Sequence, residues 1–521
     1  MRCNDCLIAV QTRRANIPSD HDSHTGVEDN NSGVLAIAGE WPRDYPHSTV
    51  TLMIYRGRPW YFNSDGGVSM SSFAELDLRC TGANDDSLAI YHQALQEFNC
   101  YIDDPLLTTD RALANSPDFV MAHVLHAYLH LLGTEPATLA IANSSRERAQ
   151  RIAGNERERA HTAAVAYLVE GRWRQAGRVL EDISAAYPVD ILALQAGHLV
   201  DFYTGNSRML RDRIARALPA WSAAMPGYHS VLSMYAFGLE ETGDYTKAET
   251  LGREAVARNA RDGWGQHAVA HVLEMQGRAG EGVQWMRENV AGWATGSFFQ
   301  VHNWWHLALF YLDQEAIAEV LKLFDQPIYG QPSNLILDMV DASALLWRLN
   351  LLQIDVGTRW QSVADNWQPV STAGNYAFND VHAAMALACS NRMDAIGGII
   401  DTQKEVMASA SDNAIFVRDV GQPLTLAIVA FAEGDYARVI ELVRPVREIA
   451  QRFGGSHAQR DVIDLTLVEA AIRGGEQSLA RALVNERLAI KPHSAANQTL
   501  MGRVNGMGRM AVAGRMVGGN S

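Results

Sequence analysis

HSVLSMYAFGLEETGDYTKAETLGREAVARNARD, residues 229–262, contains two apolar stretches joined by a short polar turn. In the first stretch Leu232, Tyr235 and Leu239 follow one another at spacings of three and four residues, which places them on one face of a helix. Gly243 interrupts this pattern, and Ala248 lies in a second helical stretch, where a small side chain lets two helices approach closely. The segment therefore predicts a pair of helices joined by a tight turn.

The turn of this unit recurs through most of the chain. It is recognisable as GRWRQA, GNSRML, GDYTKA, GRAGEG, DQEAIA, SNRMDA and GDYARV, which begin at Gly171, Gly205, Gly243, Gly277, Asp313, Ser390 and Gly434. The spacing is about 34 to 44 residues, except for one interval of about two units, whose missing turn is expected within residues 345–367. A period near about 34 residues with such a turn resembles the tetratricopeptide repeat. Because one helix pair cannot bury its apolar face alone, we predict an all-α, right-handed α-solenoid of stacked pairs.

The two ends of the chain do not share this pattern. We expect residues 1–76 to form a mostly disordered arm, in which HSTVTLMIYRGRPWYFNSDGG is a short strand or hairpin without partner strands. Residues 77–500 are the predicted repeat domain. The last segment, 501–521, is rich in Gly, Met and Arg and is expected to be a flexible tail.

Composition restricts the classes of partner. Of the 521 residues, 47% are hydrophobic and 20% charged, and the net charge is −15. Such a negative chain repels polyphosphate, so we expect no nucleic-acid partner. No run approaches the about 18 apolar residues that cross a bilayer, and the start, MRCNDCLIAVQTRR, lacks the apolar core of a secretory signal. The five cysteines are scattered, which argues against a disulfide framework. We therefore expect a cytoplasmic protein without a membrane partner.

Two histidine pairs with the same spacing lie close together in the sequence. They are His267/His271 and His302/His306, and Glu274 follows His271 by three residues. On a helix, residues four apart lie on the same face, so each pair presents two imidazoles in one direction. Two facing helices of this kind could bind a metal or hold a proton-transfer network around a substrate.

Several other segments extend the resemblance beyond the repeat. They are PDFVMAH, YAFGLEETGDYTKAE, WGQHAVAHVLEMQG, VHNWWHLALFYLD, LDMVDASALLWRL, FNDVHAAMA, RDVGQPL and GGSHAQRDV. Through these segments, residues of about 77 to 500 resemble the tetratricopeptide-repeat protein 38 family, whose bacterial relatives include StaR-like proteins found near glycopeptide-antibiotic genes. The resemblance implies an all-helical repeat fold with no firmly established activity, although an enzymatic role has been suggested for the antibiotic-cluster relatives. It implies nothing for the N-terminal arm.

The same segments place many polar residues inside predicted helices. In the repeat register His267, His271 and Asp380 face the concave surface of the solenoid, and the pair His302/His306 is about one residue out of register. We predict an inner pocket with candidate catalytic residues His267, His271, His302, His306, Asp380 and His382, lined further by His123, Glu274, Asn303, Trp304, Asp338, Asp341, Arg418, Asp419, Arg460 and Asp461. The alternative is a structural polar network in which Arg418 pairs with Asp419 and Arg460 with Asp461.

A divalent metal or a haem is the cofactor this pattern allows. The segment HAVAHVLE is HxxxH and lacks the glutamate of the HExxH signature. The four histidines His267, His271, His302 and His306 could still bind a metal, with Glu274 or Asp380 completing the site, and a histidine could ligate haem.

Two functions remain open from the sequence. In the first, the pocket binds or converts a small molecule, as a metal-dependent or acid–base enzyme of unknown reaction or in a role in secondary metabolism. In the second, the solenoid is a scaffold that receives a peptide or protein in its concave groove. The histidines and carboxylates at helix-interior positions favour the first.

Overall fold

The computed structural model describes residues 27–30, 34–37, 51–55, 58–62 and 78–517, with side chains from 78 to 507. The chain divides into two units, Met1–Glu75 and Leu76–Ser521. The predictions for the rest of the N-terminal arm and for residues 518–521 lie outside the described residues.

The first unit contains a four-stranded antiparallel sheet in the order β1-β2-β3-β4. Its strands are β1 (Val27–Asn30), β2 (Val34–Ile37), β3 (Thr51–Tyr55) and β4 (Arg58–Phe62). The prediction that the hairpin has no partner strands was wrong. Strand β2 pairs with β3, and Leu35 lies opposite Ile54. The short apolar run VLAI inside the polar arm forms this additional strand, and its backbone donors and acceptors pair with those of β3.

The second unit is helical throughout its described residues, which confirms the all-α prediction for this part of the chain. Its helices are α1 (Asp85–Cys100), α2 (Pro105–Asn115), α3 (Val120–Leu131), α4 (Leu139–Arg151), α5 (Glu156–Val169), α6 (Trp173–Ala186), α7 (Ile191–Tyr203), α8 (Ser207–Ala217), α9 (Tyr228–Glu240), α10 (Tyr245–Arg258), α11 (Gly263–Met275), α12 (Ala279–Glu288), α13 (Val290–Ala294), α14 (Gln300–Asp313), α15 (Ile317–Leu323), α16 (Ile336–Leu351), α17 (Arg359–Trp367), α18 (Ala377–Cys389), α19 (Met393–Met407), α20 (Asp412–Phe416), α21 (Gln422–Glu433), α22 (Tyr436–Arg447), α23 (His457–Arg473), α24 (Gln477–Ile490) and α25 (Ala495–Val517).

The recurring turns lie where the sequence placed them. Gly243 separates α9 from α10 with φ of 87°, a left-handed conformation that glycine adopts without steric cost. The turn sought within residues 345–367 follows α16, and there Gln353 takes the left-handed position with φ of 61°. Because a glutamine occupies the glycine position, the motif was not visible in the sequence.

The helix pairs pack through small residues. Gly252 of α10 is so close to α11 that an added Cβ would lie 2.6 Å from the Val269 side chain. Ala248 on the same helix is fully buried. Asp262 caps the start of α11 by accepting a 2.8 Å hydrogen bond from Gly265 N, which satisfies one of the free amides at the helix start. This close pairing fixes the register of the histidine-bearing helix α11.

Early repeats contact late repeats across the second unit. The chain just after α3 meets the start of α16, where Ile336 N donates to Glu135 Oε1 at 2.7 Å. Tyr203, at the end of α7, accepts from the Tyr376 hydroxyl just before α18 at 3.1 Å. Glu241 follows α9 and accepts from His457 N at the start of α23 at 2.9 Å. These contacts link the ends of early helices to the starts of late ones.

Two helices differ from the sequence-based view. The tail expected to be flexible from residue 501 is part of α25, which continues to Val517, because Leu500 and Val504 are buried against the preceding repeat. The continuous helical run Asp412–Glu433, which joins α20 to α21, is long and apolar enough to cross a membrane by composition. Since 61% of that window is buried inside the protein, it has the character of a core helix.

Candidate metal centre

The two histidine pairs face each other in the structure. His267 and His271 lie on α11, and His302 and His306 lie on α14 of the next repeat. The Nε2 atoms of His302 and His267 are 3.2 Å apart, and the ring centroids of His271 and His306 are 4.5 Å apart. One ligand atom from each of the four histidines lies within 4.8 Å of the others. We call these four residues the histidine tetrad.

The tetrad is almost completely withdrawn from solvent. His271 and His306 are fully buried, His267 is 2% exposed, and the His302 side chain is 11% exposed. Burial and the neighbouring imidazoles lower the pKa of His267 and His271 well below 6.5, and burial together with His302 does the same for His306. These three rings are therefore neutral at pH 7 and offer lone pairs rather than charges.

Carboxylates lie behind three of the four rings. Asp341 on α16 faces His302, with its two oxygens 2.9 and 3.0 Å from Nδ1. Glu274 Oε2 lies 3.4 Å from His306 Nδ1, and Glu240 Oε2 lies 3.7 Å from His271 Nδ1. Of the three, only the Asp341 contact is a hydrogen bond; it fixes the tautomer of His302 and directs its Nε2 inward, as carboxylates do around metal-bound histidines.

Many nitrogen atoms of the tetrad have no hydrogen-bond partner. Both ring nitrogens of His271 and of His306 are buried without one, and so is Nδ1 of His267. An unpaired buried polar atom costs about 1–3 kcal/mol. An ion bound among the four rings would give some of these nitrogens a partner.

The tetrad fits a single metal ion better than a haem. Two nitrogens at about 2.0–2.1 Å from a tetrahedral ion lie about 3.3–3.4 Å apart, close to the 3.2 Å between His302 and His267. Neighbouring rings of the tetrad have centroids 4.4 to 5.0 Å apart. This packing leaves no room for a porphyrin between the rings, so the haem alternative does not fit.

Asp380 and His382 do not join the tetrad. Asp380 on α18 accepts a 3.3 Å hydrogen bond from Gln403, and burial raises its pKa to about 7. His382 Nδ1 lies 2.8 Å from the Phe378 carbonyl oxygen, and burial lowers its pKa to about 4. The equivalence of repeat positions placed Asp380 beside His267, but each repeat is displaced along the solenoid, and α14 is the helix that faces α11.

Other predicted pocket residues lie near the starts of their helices and contact backbone or aromatic groups there. His123 Nε2 lies 2.8 Å from the Pro117 carbonyl oxygen, and Asn303 donates to the Gly263 carbonyl at 3.4 Å. Trp304 packs edge-on against Trp293 with ring centroids 4.6 Å apart. Burial raises the pKa of Asp338 to about 6, and nearby Asp341 acts in the same direction.

The predicted pairs Arg418–Asp419 and Arg460–Asp461 are replaced by other partners. Arg418 is exposed and donates weakly to the Met407 carbonyl. The remaining three form pairs between elements distant in sequence: Asp419 with Arg452, Arg460 with Glu241, and Asp461 with Arg487. Neighbours in a helix point in different directions, so they reach partners on other helices instead of each other.

A cavity of about 460 Å³ lies beside the site. Glu274, Arg460 and Asp461 line it, as do His457 and Lys491. Glu274 Oε1 faces Lys491 Nζ at 3.7 Å on the cavity side, while its Oε2 faces His306 on the tetrad side. None of the four histidines lines this cavity, so Glu274 separates it from the tetrad.

The sequence reading missed a second polar group next to the tetrad. Glu240 and Glu241 at the end of α9 lie with His271 in a cluster whose ligand atoms are within 4.8 Å of one another. His457 Nδ1 faces both glutamates, at 3.6 and 3.8 Å. The only sequence signal was the pair of adjacent acids in LEETGDY, which reads as the polar end of a helix before its turn.

No family model matches the chain, so the resemblance to the tetratricopeptide-repeat protein 38 family stays a prediction. Among solved structures, the chain is similar to the human IFIT1 dimer with m7Gppp-AAAA, at 14% identity and a TM-score of 0.38, over 84% of this chain and 96% of that one. It is also similar to the Cut9–Hcn1 hetero-tetramer of the APC/C, at 11% identity and a TM-score of 0.34, over 80% of this chain and 74% of that one. It is similar to yeast Tom70 as well, at 10% identity and a TM-score of 0.29, over 82% of this chain and 88% of that one. At these identities and TM-scores the likeness supports no conclusion about the family or the function of this chain.

Proposed function

We propose that the protein is a metalloprotein whose histidine tetrad binds one divalent first-row transition-metal ion between two consecutive repeats. The observation that carries the proposal is the convergence of four buried imidazoles within 4.8 Å. Neutral imidazole ligands suit zinc, copper, iron and nickel, whereas magnesium and calcium require oxygen ligands.

The ligands would come from both sides of one repeat interface. Nε2 of His302 is held toward His267 by the contact of Nδ1 with Asp341. Glu274 Oε2 lies 3.4 Å from Nδ1 of His306 without a hydrogen bond. The bound ion supplies a double positive charge that the neutral rings lack. It therefore joins α11 to α14 and offsets the negative charge of the carboxylates behind the rings.

Four protein ligands leave no open position on a tetrahedral ion, and that is typical of a structural site. The neighbouring cavity is lined by Glu274 and by none of the tetrad histidines, which supports the same use. The metal-free acid–base alternative has less support, because no substrate-sized space adjoins the rings on that side.

The peptide-scaffold alternative also has less support. A groove for a peptide needs a free inner surface. In this structure Glu135, Tyr203 and Glu241, at the ends of early helices, accept hydrogen bonds from residues of late repeats. Each of these contacts joins an early repeat directly to a late one, so a peptide could not pass between the two at those points.

The test is the metal content of the purified protein after loading with zinc and removal of free metal. The variant His267→Ala/His302→Ala should contain one ion per chain fewer than the wild type. The matched control is His382→Ala, which removes a buried histidine outside the tetrad and should keep the wild-type content. Equal metal content in the wild type and the double variant would overturn the proposal.

A further inference from the structure

His271 belongs to two clusters at once. One is the histidine tetrad, and the other contains Glu240, Glu241 and His271, with ligand atoms that also lie within 4.8 Å of one another. The Nδ1 atom of His271 is directed toward Glu240 Oε2 at 3.7 Å. That distance is too long for a hydrogen bond, so the imidazole stands between two groups of potential ligands without a bond to either.

Glu240 is the residue whose environment needs explaining. It is completely buried, and neither of its carboxylate oxygens has a hydrogen-bond partner. The imidazoles nearest to it are those of His457 at 3.6 Å and of the neutral His271 at 3.7 Å. A buried carboxylate without partners is costly unless it is paired or coordinates a metal.

Glu241, by contrast, is held firmly in place. Its oxygens accept from His457 N at 2.9 Å, from Ser207 Oγ at 3.2 Å and from Arg460 at 3.1 Å. These contacts position a second carboxylate beside Glu240 and leave lone pairs free. Two adjacent carboxylates and one imidazole form a mixed oxygen and nitrogen ligand set, which suits zinc and related divalent ions.

We propose that Glu240, Glu241 and Nδ1 of His271 bind a second divalent transition-metal ion, so that the imidazole of His271 bridges two ions. The bridging role rests on the proposed function of the tetrad, whereas the carboxylate site stands on its own ligands. The second ion forms a bond to Nδ1 in place of the ring proton, which is released to solvent as His271 becomes an imidazolate.

The imidazole of His457 lies between the second site and solvent. His457, which faces both glutamates, lines the cavity of about 460 Å³, and its side chain is 32% exposed. Neither glutamate lines the cavity, so an ion that enters from there would reach them past this imidazole. The second ion should exchange with a chelator in solution before the ion in the tetrad does.

The experiment is zinc stoichiometry by equilibrium dialysis for the full chain and three variants. The wild type should bind two ions, Glu240→Gln one and His302→Ala one. Glu97→Gln is the matched control, because Glu97 is also a buried glutamate with an unpaired carboxylate oxygen and belongs to neither cluster; it should still bind two. Glu240→Ala repeats the test if the glutamine variant fails to fold.

Copper loading tests the bridge directly. Two copper(II) ions joined through one imidazolate are magnetically coupled, so the wild type should give a weakened electron paramagnetic resonance signal, and Glu240→Gln should give the full signal of an isolated ion. Isolated signals from both proteins would overturn the bridge.

The outcomes separate the two proposals. One ion in the wild type, retained in Glu240→Gln and lost in His302→Ala, would overturn the second site and leave the tetrad standing. One ion retained in His302→Ala and lost in Glu240→Gln would overturn the tetrad and its bridge and support the carboxylate site.

Discussion

The Nε2 atoms of His302 and His267 lie 3.2 Å apart, on helices of two consecutive repeats. Only one proton fits between two nitrogens at this distance, so one ring donates and the other accepts. The contact of His302 Nδ1 with Asp341 makes His302 the acceptor. A metal ion that replaced the shared proton would be held by both nitrogens, and His267 would then carry its proton on Nδ1.

Asp341→Asn should weaken metal binding without removing it. The carboxylate orients His302 and raises the basicity of its ring, and loss of such a partner typically costs about 10–100-fold in affinity. Competition with a chromophoric chelator measures the change. Asp338→Asn is the control, because Asp338 lies one turn earlier on α16 and has no contact with His302 in the described structure. An equal loss of affinity in both variants would show that general charge, and not the His302 contact, is responsible.

Zinc should raise the melting temperature of the metal-free protein. An ion that binds only the folded state stabilises it by about 2.7 kcal/mol at a free concentration of 100 times Kd. Differential scanning calorimetry with and without zinc measures the shift, which should shrink in His267→Ala/His302→Ala and persist in His382→Ala. A shift of the same size in the double variant would place the stabilising ion elsewhere.

Arg460→Ala should destabilise the fold strongly. It removes the guanidinium that pairs with buried Glu241 at 3.1 Å, and loss of one partner of a buried pair costs about 3–5 kcal/mol. The control is Arg438→Ala, whose partner Glu441 is exposed, where about 0–1 kcal/mol is expected. Urea unfolding of both variants gives the comparison, and similar losses would argue against a structural role for the contact between α9 and α23.

His382 should make the protein less stable in mild acid. Above pH 6.5 the ring is neutral in both folded and unfolded states, and burial lowers the folded-state pKa to about 4. Between these values the unfolded chain binds a proton that the folded chain excludes, so stability falls as pH falls, by up to about 1.4 kcal/mol per pH unit. Unfolding of metal-free protein from pH 7 to 4 should show a shallower fall in His382→Gln. Exposed His493→Gln should retain the wild-type slope.

The sequence predicted the repeat architecture because its signals are local. The apolar spacing around Leu232 and the turn at Gly243 depend on neighbouring residues only, and the structure confirms both. The turn at Gln353 could be placed only within residues 345–367, because its left-handed residue is not glycine and the motif is not recognisable there. The sheet of the first unit was missed because strand pairing joins Leu35 to Ile54 across a segment with no periodic signal.

Part of the candidate site could be predicted, because that part also depends on local spacing. The spacing of His267 and His271 identifies a shared helix face, and the structure brings that face onto His302 and His306. Which carboxylates lie behind the rings depends on how far each repeat is displaced from the last. That displacement brings Asp341, Glu274 and Glu240 to the tetrad and leaves Asp380 with Gln403, and no local pattern encodes it.

The contacts between early and late helices also affect how the chain is made. Glu241 and Arg460 are 219 residues apart, and Thr134 and its partner Asn375 are 241 residues apart. At a synthesis rate of about 5–20 residues per second, Glu241 waits roughly 10–40 s on the ribosome before Arg460 exists. During that interval the first repeats can stack on one another, but their helix ends remain hydrated. The native arrangement around Glu240 and Glu241 is therefore completed only as the last repeats emerge.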